Sequence, residues 1–313
     1  MKKIEILCFS GGGSKSLATI GVLKQLEEQA KNKKVIVNIK EVTGVSAGSI
    51  TGLAYILGYS SSELEEEILE KNFEHLKDIK ITNFFSKFGL DSGKNIISWI
   101  ETLILKKGFD KNITFKEFYE KTKIVFKVLS TNLSKYKYTC FDYINTPNVK
   151  VTSAIHMSIC IPFYFCAQTY NNDIHVDGAL IDNYPIKLYK YNLENVLGVK
   201  IVNYGEMSHH NVEYKINSID SFIYNVIYCF IVQKEKQTTL NDKFKKHTIY
   251  IYTNEKNSIN FILTKEEKLK LVSLGYDACK EYFEIHSNDN LLEETESKLD
   301  INVDSNLDSD LEN

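Results

Sequence analysis

The chain has 313 residues, 43% of them hydrophobic, which is enough to bury one large core in one or two domains. All 38 basic residues are Lys, and the formal net charge of -3 is uneven: residues 287–313 hold nine acidic residues against Lys298 alone, so that stretch carries -8 and the remainder +5. A mildly basic body suits an anionic membrane surface, and the lack of a concentrated basic stripe excludes nucleic acid as a partner.

The pattern along the chain alternates strand and helix. Ile4–Phe9 is an apolar run that ends in Ser10-Gly11-Gly12-Gly13 and reads as a buried strand followed by a turn. Leu17, Ile20, Leu23, Leu26 and Ala30 then recur at spacings of three or four, one apolar stripe of a helix. Ile39–Thr43 reads as the second strand, and Ile50, Leu53, Ala54 and Leu57 mark the helix after it. Ser60–Ser62 offer N-caps for an acidic helix near Ser62–Leu76, a loop spans Thr82–Gly93, and a helix covers Lys94–Lys106. Thr114 with Glu117 is a capping box, and Lys123–Ser130 is a strand. Further strands fall at Ile174–Val176, Val196–Val202 and Thr248–Tyr252, with a closing helix over Lys265–Ile285. Strands separated by helices predict an α/β fold with a mainly parallel sheet covered on both faces.

The six Cys include no C-x-x-C pair and fit buried free thiols in a reducing compartment. The first residues show no signal-peptide core and the last ones no prenylation box, so a cytoplasmic location is expected. Phe222–Val232, the longest apolar stretch, is too short to span a bilayer and reads as a core helix. The stretch from Ser287 is charged, lacks aromatic residues and is expected to be disordered. The division expected is a catalytic domain over 1–286 and an acidic tail over 287–313.

Three features carry chemistry. Gly44-Val45-Ser46-Ala47-Gly48 is a G-x-S-x-G pattern between a predicted strand and a predicted helix, the context of a nucleophile elbow. Such a turn needs small neighbours and lifts the Ser hydroxyl to a helix N-terminus, where the dipole favours developing negative charge. Gly11-Gly12-Gly13-Ser14-Lys15 also joins strand to helix, and its backbone N–H groups suit an oxyanion hole or a phosphate cradle. The spacing fits neither a Walker A loop nor a dinucleotide-binding loop, because Ser14 precedes Lys15 and Ser16 stands where the last glycine belongs. His175-Val176-Asp177-Gly178-Ala179-Leu180 places a carboxylate at a strand end, which by itself is an ordinary turn. Taken together they make an acyl-transfer set of nucleophile, oxyanion donors and carboxylate.

In that order and spacing the three motifs resemble the patatin-like phospholipase family. Gly89-Leu90-Asp91-Ser92-Gly93 and the segment Ser153–Phe163 are similar to family segments, and Asn183 and Pro185 follow Asp177 as they do there. The likeness runs from about Lys3 to Lys187, and more weakly to Tyr252. It implies a three-layer α/β/α fold and a Ser–Asp dyad, with Ser46 as nucleophile and Asp177 as base. Gly11, Gly12 and Gly13 would hold the oxyanion, Gly44 and Gly48 shape the elbow, and Lys15 and Gly178 support the site. The substrate implied is a membrane phospholipid or lysophospholipid met at a peripheral membrane surface, with no cofactor and no metal. The sequence departs from the family pattern at Ser16, where the loop usually continues with Gly, and at His156, where Arg is frequent.

Lys15 matches the family's basic position but also fits a solvated surface lysine. Asp182 is a rival base. Two other readings stand beside the dyad. One is a Ser–Asp–His triad of the α/β-hydrolase type, completed by His209, His210 or His247. The other is a catalytically silent lipid-binding module. Phe84, Phe85 and Phe88 in the Thr82–Gly93 loop fit either an interfacial lid or core contacts, and the acidic tail is a candidate for reading by an activating protein partner.

Overall fold

A computed structural model describes residues 2–203, 216, 219–239, 241–253 and 262–307. In chain order the strands are β1 (Lys3–Phe9), β2 (Ile36–Val45), β3 (Gly89–Asp91), β4 (Val125–Asn132), β5 (Lys137–Phe141), β6 (Phe163–Phe165), β7 (Gln168–Tyr170), β8 (Asp173–Asp177), β9 (Val196–Asn203) and β10 (Thr248–Thr253). The helices are α1 (Ala18–Lys31), α2 (Ala47–Ile56), α3 (Ser61–Glu70), α4 (Ile81–Lys87), α5 (Lys94–Lys106), α6 (Phe115–Thr122), α7 (Val151–Ile159), α8 (Ala179–Asp182), α9 (Ile219–Thr239), α10 (Asp242–Lys245) and α11 (Lys265–Leu307).

Seven strands of the main sheet run in the order β10-β9-β1-β2-β4-β8-β7, and β5 also pairs with β4. The five from β10 to β4 are parallel, whereas β5 and β8 lie antiparallel to β4. From β1 the chain builds outward through β2 and β4, then returns to the other side of β1 for β9 and β10. The carboxyl end of β1 is therefore a topological switch point, the place where open α/β sheets bind ligands. Register brings the site together: Phe9 pairs with Gly44, Val45 with Leu129, and Ser130 with Asp177. Strand β8 runs antiparallel to β4 but overlaps it only over Ser130–Asn132, so Asp177 still lies near the carboxyl ends of β2 and β4.

The side-chain alternation of β1 divides the core. Leu7 and Phe9 join a large cluster with α1, α2, α5 and α11 residues such as Leu23, Leu53, Ile100 and Leu271. Ile6 and Cys8 face the other way, into a smaller cluster with Tyr184, Ile186, Tyr189, Leu193, Val196 and Phe244. The sheet is covered on both faces, heavily by helices on one and thinly on the other by the 3-10 turn Pro185–Tyr189 and α10.

Several local expectations meet the structure directly. Ser60, the first of the three serines, is the N-cap of α3, and it forms a reciprocal capping box with Glu63. Thr114 and Glu117 form another at α6. Cys8, Cys160, Cys166 and Cys279 are buried free thiols, and Cys229 is exposed.

Others need correction. The acidic helix near Ser62–Leu76 ends at Glu70, and Phe73–Leu76 forms a separate 3-10 turn capped by Asn72. The Thr82–Gly93 loop contains most of α4 and all of β3. The Phe222–Val232 stretch is helical, but Phe222, Val226 and Phe230 are exposed, and among its described side chains only Ile227 belongs to the buried core. It is therefore a surface helix with an apolar outer stripe. The closing helix does not stop at Ile285. Its backbone continues to Leu307, through a stretch where Glu, Lys and Leu favour helix. Residues 308–313 of the tail lie outside the described residues.

Candidate active site

Ser46 stands between β2 and α2 as the N-cap of the helix, with its backbone at φ 51° and ψ -131°. A residue with a side chain is rarely held there, so the surroundings must enforce it. They do so through close backbone contact. A Cβ on Gly48 would sit 2.4 Å from the Ser10 carbonyl oxygen and 2.8 Å from that of Phe9, so α2 can start hard against the end of β1 only with glycine there. The Ser46 N–H donates to Ser158 Oγ at 2.8 Å, and Ser158 Oγ donates to the Leu129 carbonyl at 2.6 Å. Ser49 Oγ donates to the Ser46 carbonyl at 2.6 Å. Both backbone polar groups of Ser46 are thus held, and its side chain is left to the chemistry.

The Ser46 Oγ donates to Asp177 Oδ2 at 2.7 Å. The other carboxylate oxygen accepts the Ala179 N–H at 2.9 Å, and the Asp177 N–H is tied to the Cys160 carbonyl at 2.8 Å. Asp177 is 3% exposed. Burial pushes its pKa from 3.8 up to about 7, against the lowering effect of the Ala179 and Ser46 hydrogen bonds. A carboxylate with that pKa is a far better base for a hydroxyl than an ordinary aspartate. Gly178 follows, its α-carbon facing the Leu129 carbonyl. Asp182, the rival base, accepts the Tyr184 N–H at 3.3 Å at the end of α8.

The glycine loop faces Ser46. Gly11 lies close to the Ser46 Cβ and the Asn183 side chain, and its N–H donates to the Asn183 carbonyl at 3.1 Å. That bond engages the first of the three expected oxyanion donors and gives Gly11 a packing role. Gly12 precedes the 3-10 turn Gly13–Leu17, and Gly13 has a positive φ of 56°. Lys15 is 1% exposed, which removes the reading as a solvated surface lysine. Ser16 lines the cavity described below, and its hydroxyl is buried without a hydrogen-bond partner.

Beside Ser46 opens a cavity of about 1010 Å³, its open mouth included. Gly13, Ser14 and Ser16 line it, and α2 contributes Ala47, Ile50, Thr51 and Ala54 from one helical face. Leu17, Ile20, Leu64, Ile68, Phe73, Trp99, Leu103, Ile161 and Phe165 form much of the remaining wall. The single ionisable lining residue, Glu67, accepts the Trp99 indole N–H at 3.0 Å and pairs with Lys106. A wall of this composition suits a hydrocarbon chain.

Among the described residues no histidine contacts Asp177. His209 and His210 lie outside them. His247 precedes β10 at the amino ends of the strands, near Lys2 and His286, where burial lowers its pKa to about 4. His175 is bound to Ser130 through Nδ1 at 2.7 Å. His156 bonds the Ser92 carbonyl through Nε2 at 3.0 Å, and so joins α7 to the Gly89–Gly93 segment. Sequence reasoning singled out neither Ser158 nor the Asn183 carbonyl as site partners. The one available signal was their place in family-like segments.

The model of the family described as "Patatin-like phospholipase" matches residues 7–189, more than half of the chain. An uncharacterized protein of Acanthamoeba polyphaga mimivirus, R571, is 28% identical over 284 residues, which span 89% of this chain and 93% of that one. Probable lipid hydrolase 463L of Invertebrate iridescent virus 6 is 31% identical over 193 residues, covering 60% of this chain and 63% of the relative. Among solved structures, VipD from Legionella pneumophila shares the fold, with a TM-score of 0.56 at 17% identity over 91% of this chain and 67% of VipD. With the family match spanning both the elbow and the Asp177 strand, the chain belongs to the patatin-like phospholipase family and is a lipid hydrolase.

Proposed function

We propose that the protein cleaves fatty-acyl esters of membrane phospholipids with Ser46 as nucleophile and Asp177 as the sole base, through an acyl-enzyme. The observation that carries this reading is the 2.7 Å hydrogen bond from Ser46 Oγ to Asp177 Oδ2 beside an apolar cavity. The acyl chain enters the cavity and sets the ester carbonyl above Ser46. As Oγ bonds to the carbonyl carbon, its proton passes to Asp177 Oδ2 and the carbonyl oxygen takes the negative charge. Backbone N–H groups of Gly12 and Gly13 stabilise that oxyanion, the type of interaction that usually supplies the largest electrostatic share of such catalysis. The carbon–oxygen bond to the head-group portion then breaks, and Asp177 returns the proton to the departing alkoxide. A water molecule gives its proton to Asp177 and attacks the acyl-enzyme, which releases the fatty acid and restores the Ser46 hydroxyl.

In this reading residues 1–286 are the catalytic unit and residues 287–313 an acidic appendage open to an activating protein. Lipid is reached from the bilayer surface; no described helix is long and apolar enough to cross a membrane. The test is acyl release from mixed phospholipid vesicles without added metal, for the wild type, Ser46→Ala and Asp177→Asn. Release by the wild type and background values for both variants are expected. Full activity in either variant refutes the dyad. Labelling of Ser46 by a fluorophosphonate separates this reading from a silent lipid-binding module, which would not label.

A further inference from the structure

Beside the cavity lies an apolar surface that the chemistry does not use. Helix α4 buries none of its side chains, and Ile81 is 73% exposed and Phe85 81% exposed. Ile79, just before it, and Phe88, just after it, are exposed as well. Phe84 leans on Phe163, with ring centroids 6.5 Å apart. Phe163 is half exposed and stands two residues from both Ile161 and Phe165, which line the cavity. The same short stretch of chain therefore forms cavity wall and outer surface. Phe88 and Phe163 both hold left-handed backbone, φ 58° and 66°. Such strain in bulky residues persists only where the surroundings or a function maintain it.

Helix α9 carries a second exposed apolar face. It packs against β6 and α8, and it turns Phe222, Val226 and Phe230 outward at every fourth position, one face of the helix. The charge around α4 is of one dominant sign. Between residues 77 and 94 stand Lys77, Lys80, Lys87 and Lys94 against two acids, the buried Asp91 and Asp78, which pairs with Lys80 at 3.1 Å. Exposed apolar side chains grouped in this way mark an interaction site, and basic residues beside them select an anionic partner.

We infer that α4, Phe163 and the outer face of α9 form a docking surface for an anionic lipid bilayer, seated beside the cavity that opens on Ser46. The aromatic and aliphatic side chains enter the interface and the lysines contact acidic head groups. An acyl chain then passes from bilayer to cavity along the Ile161–Phe165 stretch without crossing water. The role in substrate delivery rests on the hydrolase reading; the docking itself does not.

The experiment is flotation of the full chain carrying Ser46→Ala, so that no lipid is consumed, with vesicles of phosphatidylcholine alone and with added phosphatidylserine. Stronger binding to the phosphatidylserine vesicles is expected. The added pairs Ile81→Ser with Phe85→Ser, and Phe222→Ser with Phe230→Ser, should each lower partition by roughly tenfold or more, as expected from the apolar area withdrawn. In the Ser46 background the same pairs should hydrolyse a soluble short-chain ester within about twofold of the wild type, because none of the four residues lines the cavity. Unchanged partition for both pairs overturns the inference. Loss of soluble-ester turnover in step with partition also overturns it, and so does a dimer in solution that the pairs dissolve, which would make the face a protein contact. Patch-dependent vesicle binding by a chain that cleaves no ester would refute the hydrolase reading and leave the docking surface standing.

Discussion

The nucleophile elbow and the α4–β6 rim border the same cavity and are built in opposite ways. At the elbow every polar backbone atom of Ser46 is bonded, the neighbouring glycines lie against backbone oxygens, and Asp177 is 3% exposed. At the rim α4 buries no side chain and presents aromatic residues to solvent. Preorganised chemistry requires groups that cannot move, because reorganisation during the reaction adds to the barrier. Contact with a fluid bilayer requires apolar area that is available before contact. The left-handed backbone found in both regions serves each purpose: at Ser46 it lifts a hydroxyl out of the sheet edge, and at Phe88 and Phe163 it accompanies rings left exposed.

The largest effect expected on this contrast is that of pH on the elbow. With Asp177 raised to about 7, the base is protonated below that pH, and kcat/KM on a soluble ester should fall about tenfold for each pH unit lost there. Two units below the midpoint the rate should stand roughly a hundredfold under its plateau. This places the acid limb above the value of an ordinary carboxylate, as burial requires. A rate flat down to pH 5 would mean that Asp177 is not the base.

The same burial predicts an opposite effect on stability. The folded pKa of about 7 exceeds the ordinary 3.8, so the native state holds the proton more tightly than the unfolded chain. The ionised group therefore costs nothing below 3.8, destabilises progressively between 3.8 and about 7, and exerts its full cost above that. A gap of about three pH units corresponds to about 4 kcal/mol as an upper value. Asp177→Asn should thus be inactive yet raise the unfolding free energy at pH 8, with the gain shrinking toward pH 5. Chemical denaturation at the two pH values checks it. A variant less stable than the wild type at pH 8 would show that the carboxylate is not held at such cost.

Ser158 comes next. It joins the elbow to β4, accepting from Ser46 N–H and donating to the Leu129 carbonyl. Ser158→Ala leaves a buried N–H and a buried carbonyl each short of a partner, a cost of about 1–3 kcal/mol. Because the elbow should then loosen, kcat should fall while vesicle binding holds. A variant with wild-type stability and kcat would show that the glycine contacts alone fix Ser46.

This contrast also explains how much was legible in the sequence. The elbow could be read because its constraints are local. Gly44 is demanded by the backbone of Gly48 and Ser49 a few residues away, and strand, turn and helix follow each other in the chain, whereas the contact of Gly48 with the Phe9 and Ser10 carbonyls is long-range. The alternation of β1 and the stripe of α1 report a core that each element meets directly. Long-range partners gave no such signal: Ser158 reaches Ser46 across 112 residues, and nothing near Gly11 announces that its N–H will bond the Asn183 carbonyl. The apolar stretch Phe222–Val232 misled for a related reason. Hydrophobicity reports a preference for leaving water and does not say whether a core or an outer contact satisfies it. The position of Asp177 was legible only through family resemblance, since an Asp-Gly at a strand end is a common turn. Register with Ser130 and burial set it beside Ser46, as the proposed base requires.

The smallest expected effect lies at the rim, and it is diagnostic because it is small. Ile81 and Phe85 are exposed, and no part of the core closes over them. Replacing them by Ser removes apolar area that folding does not bury, so the unfolding free energy should change by no more than about 0.5 kcal/mol. If α4 were an ordinary core element, the loss of a large apolar side chain would instead cost about 2–5 kcal/mol. Equilibrium denaturation of Ile81→Ser and Phe85→Ser, measured beside Ser158→Ala, tests both regions on one scale. A single polar hydroxyl in the elbow should matter more to folding than a whole aromatic ring at the rim. The reverse order would place α4 inside the core and remove the distinction between a rigid chemical centre and a surface held open for lipid.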